Sequence, residues 1–556
     1  MKIGLDFGMT NSSISYYDME TNGLINFQPD PTSPGYIPTI ISYNKSKKEE
    51  IYIGDAAKAN MYNNSFESHE NFKLLLGSNC NNIIKGTTKS AIEVTDDFIK
   101  KILESFKTTL NKNIDSIVMT VPEIWIRENS NKTARENIVA IFTGLGYTEE
   151  SFRLESEPVA AAAYFCHTYK NSSDNPKKNG YSGHIAVVDY GGGTLDVTLC
   201  KVSNGSDIAV LERQGFGEDN KTNGQAGLAF DEAVTEKIIK DNNLKIPINK
   251  KDNRFINLRN KFEEQKRLLC SKITEQLKLY FSDPDVLEGE TLFSLVYDIE
   301  NGNEVNIKCE DLVYCFKEIN SPVLIKSLKK IKVFCASHSI DTSSQDHFRI
   351  LLVGGFCNFY IVEIIAKTVF QENSDDTGER SYEVSPHDID KRFEQPYSLT
   401  NRSFAISRGA ALIAQDMISI KHTCPYNIGY IVMGRAEFDK TVSKDEVVIK
   451  RDTIIEDLKS AVFSDIPIQI KNRTEKLKIF MDNGQHDKAG RIQIDESIDK
   501  LFPGLNDTDN NYKVGFSIDK NLIPSLHITD SRNSTKTTSL NKLFEKFGMM
   551  QKQGGK

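Results

Sequence analysis

The clearest pattern of hydrophobic and polar positions along the chain is a pair of similar turns. In "KIGLDFGMTNSSISYY" at 2–17 and "IAVVDYGGGTLDVTL" at 185–199, an apolar run reaches an aspartate, passes through glycine and resumes as alternating apolar and polar residues. Alternation with period two is typical of strands with one buried face, so each stretch predicts a β-hairpin with Asp6 or Asp189 at its tip. The repetition predicts two related lobes.

Two further patterns complete the predicted elements. The apolar run "ILLVGGF" at 350–356 leads into apolar residues at helical spacing, which predicts a strand, a Gly-Gly turn and a helix. The last third of the chain, 425–535, alternates in about seven short segments separated by turn residues and predicts a β-sandwich. We therefore expect an α/β region followed by a smaller all-β region.

Composition narrows the class of protein. The length of 556 residues and the 39% hydrophobic content predict a globular chain of several domains. The net charge of −8 is spread along the chain, without a basic block interleaved with aromatic residues, so nucleic acid is not an expected partner. The most apolar window, 350–370, contains Asn358, Glu363 and Lys367 and predicts a buried strand and helix, not a membrane span.

The N-terminus and the cysteines suggest a compartment. The first apolar stretch meets Asp6 at once, which is too short and too polar for a signal peptide. The nine cysteines are odd in number and form no CxxC pair, and reduced thiols are the simplest interpretation. We expect a cytoplasmic protein that is not bound to a membrane.

The paired turns carry the candidate chemistry. Glycine lets backbone N–H groups approach a ligand closely, and such N–H groups bind phosphate. Carboxylates beside them can hold Mg²⁺ through water and orient an attacking water. A single glycine turn is more often an ordinary hairpin, but two copies with an aspartate in the same place favour a nucleotide-hydrolysis site. The third turn suits a purine or ribose, or is ordinary packing of a strand and a helix.

With these three turns in order, the chain resembles the superfamily of two-lobed ATPases that contains actin, hexokinase and the 70-kDa heat-shock proteins, most closely the DnaK-type chaperones. "GLDFGMTNSSI", "VVDYGGGTLDVTL" and "LLVGGF" are similar to the first phosphate loop, the second phosphate loop and the adenosine loop. The resemblance covers 1–416 and implies an α/β two-lobed, actin-like ATPase domain.

Connecting segments match as well. "ESEPVAAAAYF" at 155–165 and "SRGAALIAQD" at 407–416 resemble the two helices that cross between the lobes, and "FEEQKRLL" at 262–269 resembles the helix that holds adenine and ribose. "VPEIWIRENSNKTARENIVAIFTGLGY" at 121–147 resembles the family's Val-Pro-Ala turn and the helix that follows it.

The resemblance implies a role for each matched residue, with ATP or ADP and Mg²⁺ as cofactors. The catalytic cluster around Mg²⁺ and the attacking water would be Asp6, Lys73, Glu157 and Asp189. The metal would be held by Asp6, Asp189 and, from further away, Asp196. The phosphates would be wrapped by Gly8, Met9, Thr10, Asn11, Gly191, Gly192, Gly193 and Thr194. The nucleoside would be held by Glu263, Lys266, Arg267, Gly354, Gly355 and Phe356.

Two of these residues have ordinary alternatives. Without the resemblance, Lys73 would be interpreted as a solvated helix lysine. Glu157 before Pro158 could simply begin a helix, where an acidic residue and proline both suit the first turn. Asp189, inside a complete motif, is the strongest candidate.

The chain departs from the family at the nucleotide. Met9 stands where a threonine is usual, and Asn11 replaces an aromatic residue. After the Gly-Gly turn, Phe356 and Asn358 replace serine and arginine. Further substitutions of this kind are Cys270 for serine and Ser403 for aspartate. We expect adenine to be held differently and more weakly, with the acidic cluster intact.

The C-terminal third resembles the family's substrate domain only loosely. We expect a linker at 417–424, a β-sandwich at 425–535 and a short tail at 536–556, which is too short for the family's helical lid. An unrelated sandwich that binds nothing is the alternative. The segment 371–401 has turn composition and predicts an exposed loop.

Two functions remain open on this evidence. The first is a slow ATPase of the chaperone type, in which nucleotide state controls how a lidless sandwich binds an unfolded or extended polypeptide. A J-domain co-chaperone and an exchange factor are its expected partners. The second is a nucleotide-gated scaffold or regulator dedicated to one protein partner. A small-molecule kinase and a filament-forming ATPase fit the sandwich less well.

Overall fold

The computed structural model describes residues 1–543 apart from several segments. The segments that are not described are 30–34, 48, 62, 78–80, 82, 85–87, 124, 126–131, 149, 171–178, 217–225, 251, 284–288, 299–302, 345, 372–396, 398–401, 425, 436–440, 452, 471–473, 483–490, 504, 506–510, 519–522 and 541–542. The described chain divides into two compact units, one made of 1–208 with 212–419 and one made of 209–211 with 420–556.

Helices and strands alternate in the first unit, and strands predominate in the second. The α-helices are α1 (Gly54–Ala59), α2 (Ala91–Leu110), α3 (Lys132–Gly144), α4 (Glu157–Tyr169), α5 (Gly227–Asp241), α6 (Asn253–Leu268), α7 (Cys270–Ser282), α8 (Cys309–Ile319), α9 (Ser321–Ser337), α10 (Tyr360–Gln371), α11 (Ala405–Ala414) and α12 (Ile498–Leu501). Short 3₁₀ helices lie at Phe72–Leu75, Gly355–Asn358, Arg402–Phe404 and Ile455–Leu458.

The strands of the first unit are β1 (Lys2–Phe7), β2 (Asn11–Asp18), β3 (Gly23–Asn26), β4 (Ile37–Pro38), β5 (Ile40–Asn44), β6 (Ile51–Ile53), β7 (Phe66–Glu70), β8 (Ser116–Val121), β9 (Phe152–Ser156), β10 (Gly183–Tyr190), β11 (Leu195–Ser203), β12 (Asp207–Phe216), β13 (Thr291–Asp298), β14 (Asn303–Lys308) and β15 (Phe348–Val353). Those that follow are β16 (Ser419–His422), β17 (Asn427–Arg435), β18 (Thr441–Ile449), β19 (Val462–Phe463), β20 (Ile468–Gln469), β21 (Lys476–Asp482), β22 (Arg491–Ser497), β23 (Asn511–Ile518), β24 (Pro524–Thr529) and β25 (Thr535–Ser539).

Two mixed sheets of the first unit repeat one arrangement. In the sheet ordered β3-β2-β1-β8-β9, β1 pairs antiparallel with β2 and parallel with β8. In the sheet that contains β15-β10-β11-β12, β10 pairs antiparallel with β11 and parallel with β15. Both predicted hairpins are therefore confirmed. The combination of two mixed sheets with helices also agrees with the predicted α/β, actin-like lobes.

Helices α4 and α11 cross in the core of this unit at very short range. A Cβ added at Gly409 would lie 1.7 Å from the carbonyl oxygen of Ala160. On the neighbouring face, a Cβ added at Gly4 in β1 would lie 2.2 Å from the carbonyl oxygen of Ser407. Because only hydrogen fits at these two positions, the small residues of "ESEPVAAAAYF" and "SRGAALIAQD" allow the helices to pack on each other and on the first hairpin.

An aromatic group fixes the segment that carries Lys73. Phe7 at the end of β1 lies 6.2 Å from Phe72 and 6.0 Å from Phe98 between ring centroids, and Phe72 lies 5.6 Å from Phe98. All three side chains are buried. Phe72 is thereby anchored, and the 3₁₀ helix that it begins places Lys73 beside the first hairpin.

The second unit contains two antiparallel sheets. One has the order β18-β17-β21-β22, and the other has the order β19-β23-β24-β25, with β20 paired to β23. A single buried cluster includes Tyr430 and Ile479 of the first sheet and Val514 and Leu526 of the second. Apolar residues of both sheets therefore share one core.

The predicted boundaries in this region fall near strands. The segment 417–424 contains β16, and β25 extends four residues past position 535, the predicted end of the sandwich. Most of the predicted loop at 371–401 and of the predicted tail at 536–556 lies outside the described residues.

Two global features can be stated for the described chain. None of its helices combines the length and the apolar character needed to cross a membrane. Every cysteine that is described is a free thiol, and all of them except Cys270 are buried.

The helix crossing leads to a stability prediction. We expect Gly409→Ala to lower the free energy of unfolding of the first unit by about 3 kcal/mol or more, because the new methyl group collides with backbone that cannot rotate away. Urea unfolding followed by the fluorescence of Trp125, the chain's single tryptophan, measures this change.

Gly144→Ala is the matched control. A Cβ at this helical position meets no described atom within 4 Å. The substitution should therefore leave the free energy of unfolding unchanged or raise it by about 0.5–1 kcal/mol at most. Equal effects of the two substitutions would contradict the assigned crossing.

Candidate functional site

The three glycine turns predicted from the sequence meet in the structure. A Cβ added at Gly193 would lie 2.3 Å from Sδ of Met9, and one added at Gly192 would lie 2.9 Å from Oγ1 of Thr10. A Cβ added at Gly354 would lie 2.5 Å from Oδ1 of Asp189. The first hairpin turn therefore contacts the second, and the Gly-Gly turn contacts the aspartate of the second hairpin.

Lys73 is buried at this meeting point. Its side chain is 4% exposed, and Nζ donates to Oε1 of Glu157 at 2.9 Å and to the carbonyl oxygen of Phe7 at 2.5 Å. The ordinary alternative of a solvated lysine is thus excluded. Glu157 does begin helix α4, with Pro158 in the first turn and Ser156 as the cap, but its carboxylate is also the partner of the lysine.

Asp6 lies close to the Lys73–Glu157 pair. Its Oδ1 accepts a hydrogen bond from Oγ1 of Thr120 at 3.2 Å. Burial and the negative charge of Glu157 raise the pKa of Asp6 from 3.8 to about 7, although the Lys73 charge and the Thr120 hydrogen bond act in the opposite direction. The carboxyl group is therefore close enough to Glu157 for their charges to repel each other.

Asp189 completes the cluster. Burial, followed by the charges of Glu157 and Asp6, raises its pKa well above the ordinary value. Its Oδ2 is buried and has no hydrogen-bond partner in the part of the chain that the structure describes. Asp196 lies opposite Asp189 in the β10–β11 hairpin and is fully buried.

This donor set fits a hydrated divalent cation. Three mutually repelling carboxylates would be stabilised by added positive charge, and a metal-bound water could donate to the unsatisfied Oδ2 of Asp189. Among the described residues, no group of three or more His, Cys, Asp or Glu side chains is arranged to bind a metal ion. The buried Oδ2 of Asp189 agrees with a contact to the metal through water.

Backbone hydrogen bonds fix the second glycine loop. The amide of Gly191 donates to the carbonyl oxygen of Thr194 at 3.0 Å. At the start of α5, the amides of Gly227 and Leu228 donate to the carbonyl oxygens of Gly191 and Gly192 at 3.1 and 2.8 Å. The carbonyl oxygens of Gly191 and Gly192 thus already accept hydrogen bonds from helix α5.

The first glycine loop is held by a residue that the sequence did not reveal. A Cβ added at Gly8 would lie 2.1 Å from the carbonyl oxygen of Asn11, so the turn requires glycine. Thr39 donates through Oγ1 to the carbonyl oxygen of Gly8 and through its amide to that of Thr10, both at 2.9 Å. Neither Thr39 nor Thr120 lies in a recognisable motif, and only the strand pairing brings them to the site.

Met9 changes the shape of the phosphate region. The Met9 thioether lies against Gly193 and also approaches Gly192. The threonine that is usual at position 9 in the family has a shorter side chain. The thioether therefore covers part of the second glycine loop. Its position is a physical reason for the weaker nucleotide binding expected from the sequence.

The residues predicted to hold the nucleoside fall into two groups. Lys266 pairs with Asp231, and its Nζ lies 5.5 Å from the ring centroid of Phe356, which is 6% exposed. These residues belong to a buried cluster with Phe230. On the same helix as Lys266, Arg267 is exposed and Glu263 is partly exposed.

The two glycines of the adenosine turn have different surroundings. Gly354 has φ of +83° and leaves no space for a side chain beside Asp189. At Gly355, an added Cβ would meet no described atom within 4 Å. One face of this turn is therefore packed on the acidic cluster, and the other is open.

Comparison with known proteins gives concordant matches. A family model described as Hsp70 protein matches residues 81–371. The chaperone protein DnaK of Thermotoga neapolitana is 23% identical over 370 residues, which are 66% of this chain and 55% of that protein. The DnaK of Thermosipho melanesiensis is 25% identical over 279 residues, 50% of this chain and 42% of that one.

A third relative is covered more completely. The chaperone protein DnaK of Metamycoplasma hominis is 23% identical over 549 residues, which are 96% of this chain and 78% of that protein. Against the two thermophilic proteins, the chain spans about half the length of the curated relatives it matches.

The raised pKa of Asp6 predicts a pH dependence of stability. Because the folded protein binds a proton at Asp6 more tightly than the unfolded chain, this contribution to stability is complete below pH 3.8 and is lost as the pH rises to about 7. In Mg²⁺-free buffer, the urea midpoint of the wild type should fall between about pH 5 and about pH 8 more than that of Asp6→Asn. Parallel pH profiles would show that Asp6 ionises normally.

The position of Met9 predicts a gain of affinity on shortening it. We expect Met9→Thr to tighten binding of ADP by about 3- to 10-fold, because the substitution uncovers Gly193 and adds a hydroxyl donor. Isothermal titration calorimetry measures the change. Met19→Thr, at a methionine that is 74% exposed, is the matched control and should have no effect. Unchanged or weaker ADP binding by Met9→Thr would contradict the idea that the Met9 thioether obstructs the phosphate loop.

Proposed function

The chain belongs to the Hsp70 family, since the matching family model covers just over half of its residues, and on that premise we propose that it is an ATP-hydrolysing chaperone-like protein. ATP with Mg²⁺ would bind where the three glycine turns meet, and its slow hydrolysis to ADP and phosphate would control polypeptide binding by the C-terminal unit. The observation that carries this proposal is the buried Lys73–Glu157 pair beside Asp6 and Asp189.

Each residue of the cluster would have a separate task. Lys73, fixed by Glu157 and the Phe7 carbonyl, would neutralise charge that develops on the terminal phosphate and would orient the attacking water. Glu157 would hold the lysine in place. Asp6 and Asp189 would hold the metal through water, with Asp196 behind them. Mg²⁺, when bound, would offset the charges of the phosphates and carboxylates.

The glycine loops would bind the phosphates. The carbonyl oxygens of Gly191 and Gly192 already accept hydrogen bonds from the start of α5, which fixes the course of the loop and favours amide groups that point toward the ligand. Gly8, Thr10 and Asn11 would wrap the other side. Glu263 and Arg267 would contribute to the nucleoside side.

We further propose that the C-terminal unit binds extended polypeptide. Its two antiparallel sheets with a common core provide edge strands, β18 and β22, on which a peptide could add by backbone pairing. The lidless sandwich expected from the sequence would exchange such peptides quickly. Hsp70 proteins in general bind unfolded polypeptides and J-domain co-chaperones. A cytoplasmic location of this chain would agree with the free thiols of the described cysteines.

Single-turnover ATP hydrolysis with a panel of unfolded peptides tests this function. We expect the wild type to hydrolyse ATP slowly and Asp189→Asn and Lys73→Ala to lose about 10²-fold or more in hydrolysis rate. The first variant loses a carboxylate that would hold Mg²⁺ through water, and the second loses the cation that would act on the reacting phosphate. Peptides should accelerate the wild-type turnover.

Two surface substitutions serve as controls. Lys101→Ala and Asp241→Asn remove charges from partly exposed pairs with Glu104 and Lys237, and both should keep wild-type turnover. If the protein binds ATP without cleaving it, and no peptide has an effect, the alternative of a nucleotide-gated scaffold with one dedicated partner replaces the chaperone proposal.

A further inference from the structure

A guanidinium group from a distant segment is attached to the adenosine turn. Asn358, the last residue of the 3₁₀ helix in this turn, donates through Nδ2 to the carbonyl oxygen of Gly355 at 3.1 Å. Its Oδ1 accepts a hydrogen bond from Nη2 of Arg402. The Asn358 amide therefore joins Arg402 to the backbone of the glycine turn.

The segment that carries Arg402 also contacts the first lobe. Phe404 stacks on the ring of Tyr36, with centroids 4.4 Å apart and an interplanar angle of 19°. Ser403 hydrogen-bonds the Tyr36 hydroxyl, and the Arg267 charge opposes the rise in the pKa of Tyr36 that burial causes. These contacts fix the 3₁₀ helix Arg402–Phe404 to the adenosine turn and to Tyr36. The charge of Arg267 acts on the same Tyr36 hydroxyl.

Other groups around the turn are occupied. Phe356 packs against Tyr190 and Phe230 with ring centroids 5.0 and 5.3 Å apart, and Lys266 is paired with Asp231. The face of Gly355 is open. Arg402, which is partly exposed, is thus a cation that Asn358 attaches to the turn with the open face.

We propose that Arg402 is a nucleoside-binding residue that packs its guanidinium on the purine base, positioned by Asn358. A guanidinium suits this task because it is planar, stacks on aromatic rings and keeps its charge at every physiological pH. Asn358, which stands where the family has arginine, becomes the holder of an arginine supplied by position 402. This inference rests on the proposed nucleotide-binding function and adds the residue that recognises the base.

The test separates base recognition from phosphate binding. Isothermal titration calorimetry compares Mg²⁺-ADP with Mg²⁺-pyrophosphate, which lacks base and ribose. We expect Arg402→Ala to weaken ADP binding by about 10-fold, the effect of one desolvated cation–π contact, and to leave pyrophosphate binding unchanged. The preference for ADP over UDP should decrease in the same variant.

Two further variants control for structure. Arg408→Ala removes a nearby arginine that bonds Asn26 and Tyr164 instead, and it should bind ADP as the wild type does. Asn358→Arg in the Arg402→Ala background restores a guanidinium on the turn itself, and it should recover most of the lost ADP affinity.

The outcomes distinguish this inference from the function beneath it. Wild-type protein that binds neither ADP nor pyrophosphate overturns both proposals. Wild-type protein that binds ADP, with Arg402→Ala unchanged, overturns the role of Arg402 alone. Equal losses of ADP and pyrophosphate affinity in Arg402→Ala, without recovery in the double variant, overturn it as well and assign Arg402 a general structural or electrostatic effect.

Discussion

The arrangement of the candidate site depends on one buried ion pair, Lys73 with Glu157. Three carboxylates buried together without a cation would cost several kcal/mol each. Burial first, and repulsion by neighbouring carboxylates second, raise the pKa values of Asp6 and Asp189 even with the lysine present. Burial of Lys73 in turn depends on the apolar anchor Phe72, next to it in the chain. The site is therefore held in a high-energy arrangement by hydrophobic packing that surrounds it, as functional sites often are.

The sequence predicted the parts of the site that obey local rules. Period-two alternation located both hairpins, and the requirement of tight turns for glycine located Gly8 and Gly191. Lys73 has no local signature, and only its interval within a family resemblance identified it. That resemblance also assigned Lys266 and Phe356 to the nucleoside. In the structure these two side chains lie beside each other and Lys266 pairs with Asp231, which no local pattern indicated.

What sequence alone could not provide is contact between distant segments. Thr39 and Thr120 reach the site through strand pairing, and residues of these types are common throughout the chain. The substitution of Asn358 for the family's arginine indicated only a loss. Its physical meaning depends on Arg402, 44 residues away, in a segment that follows a long stretch without clear periodicity. Compensation of this kind is set by three-dimensional proximity, which a single sequence does not encode in any local pattern.

The strand registers give the two halves of the site different characters. Asp6 pairs across β1 and β8 with Thr120, whereas the corresponding neighbour of Asp189 across β10 and β15 is Val353. One half thus supplies a hydroxyl that donates to its aspartate. The other half has valine at the same place, and within the described part of the chain Oδ2 of Asp189 has no hydrogen-bond partner. Two copies of one hairpin, set face to face, would form a symmetric pocket with two interchangeable acids. The difference between threonine and valine is one of the features that break this symmetry and make the two acids inequivalent.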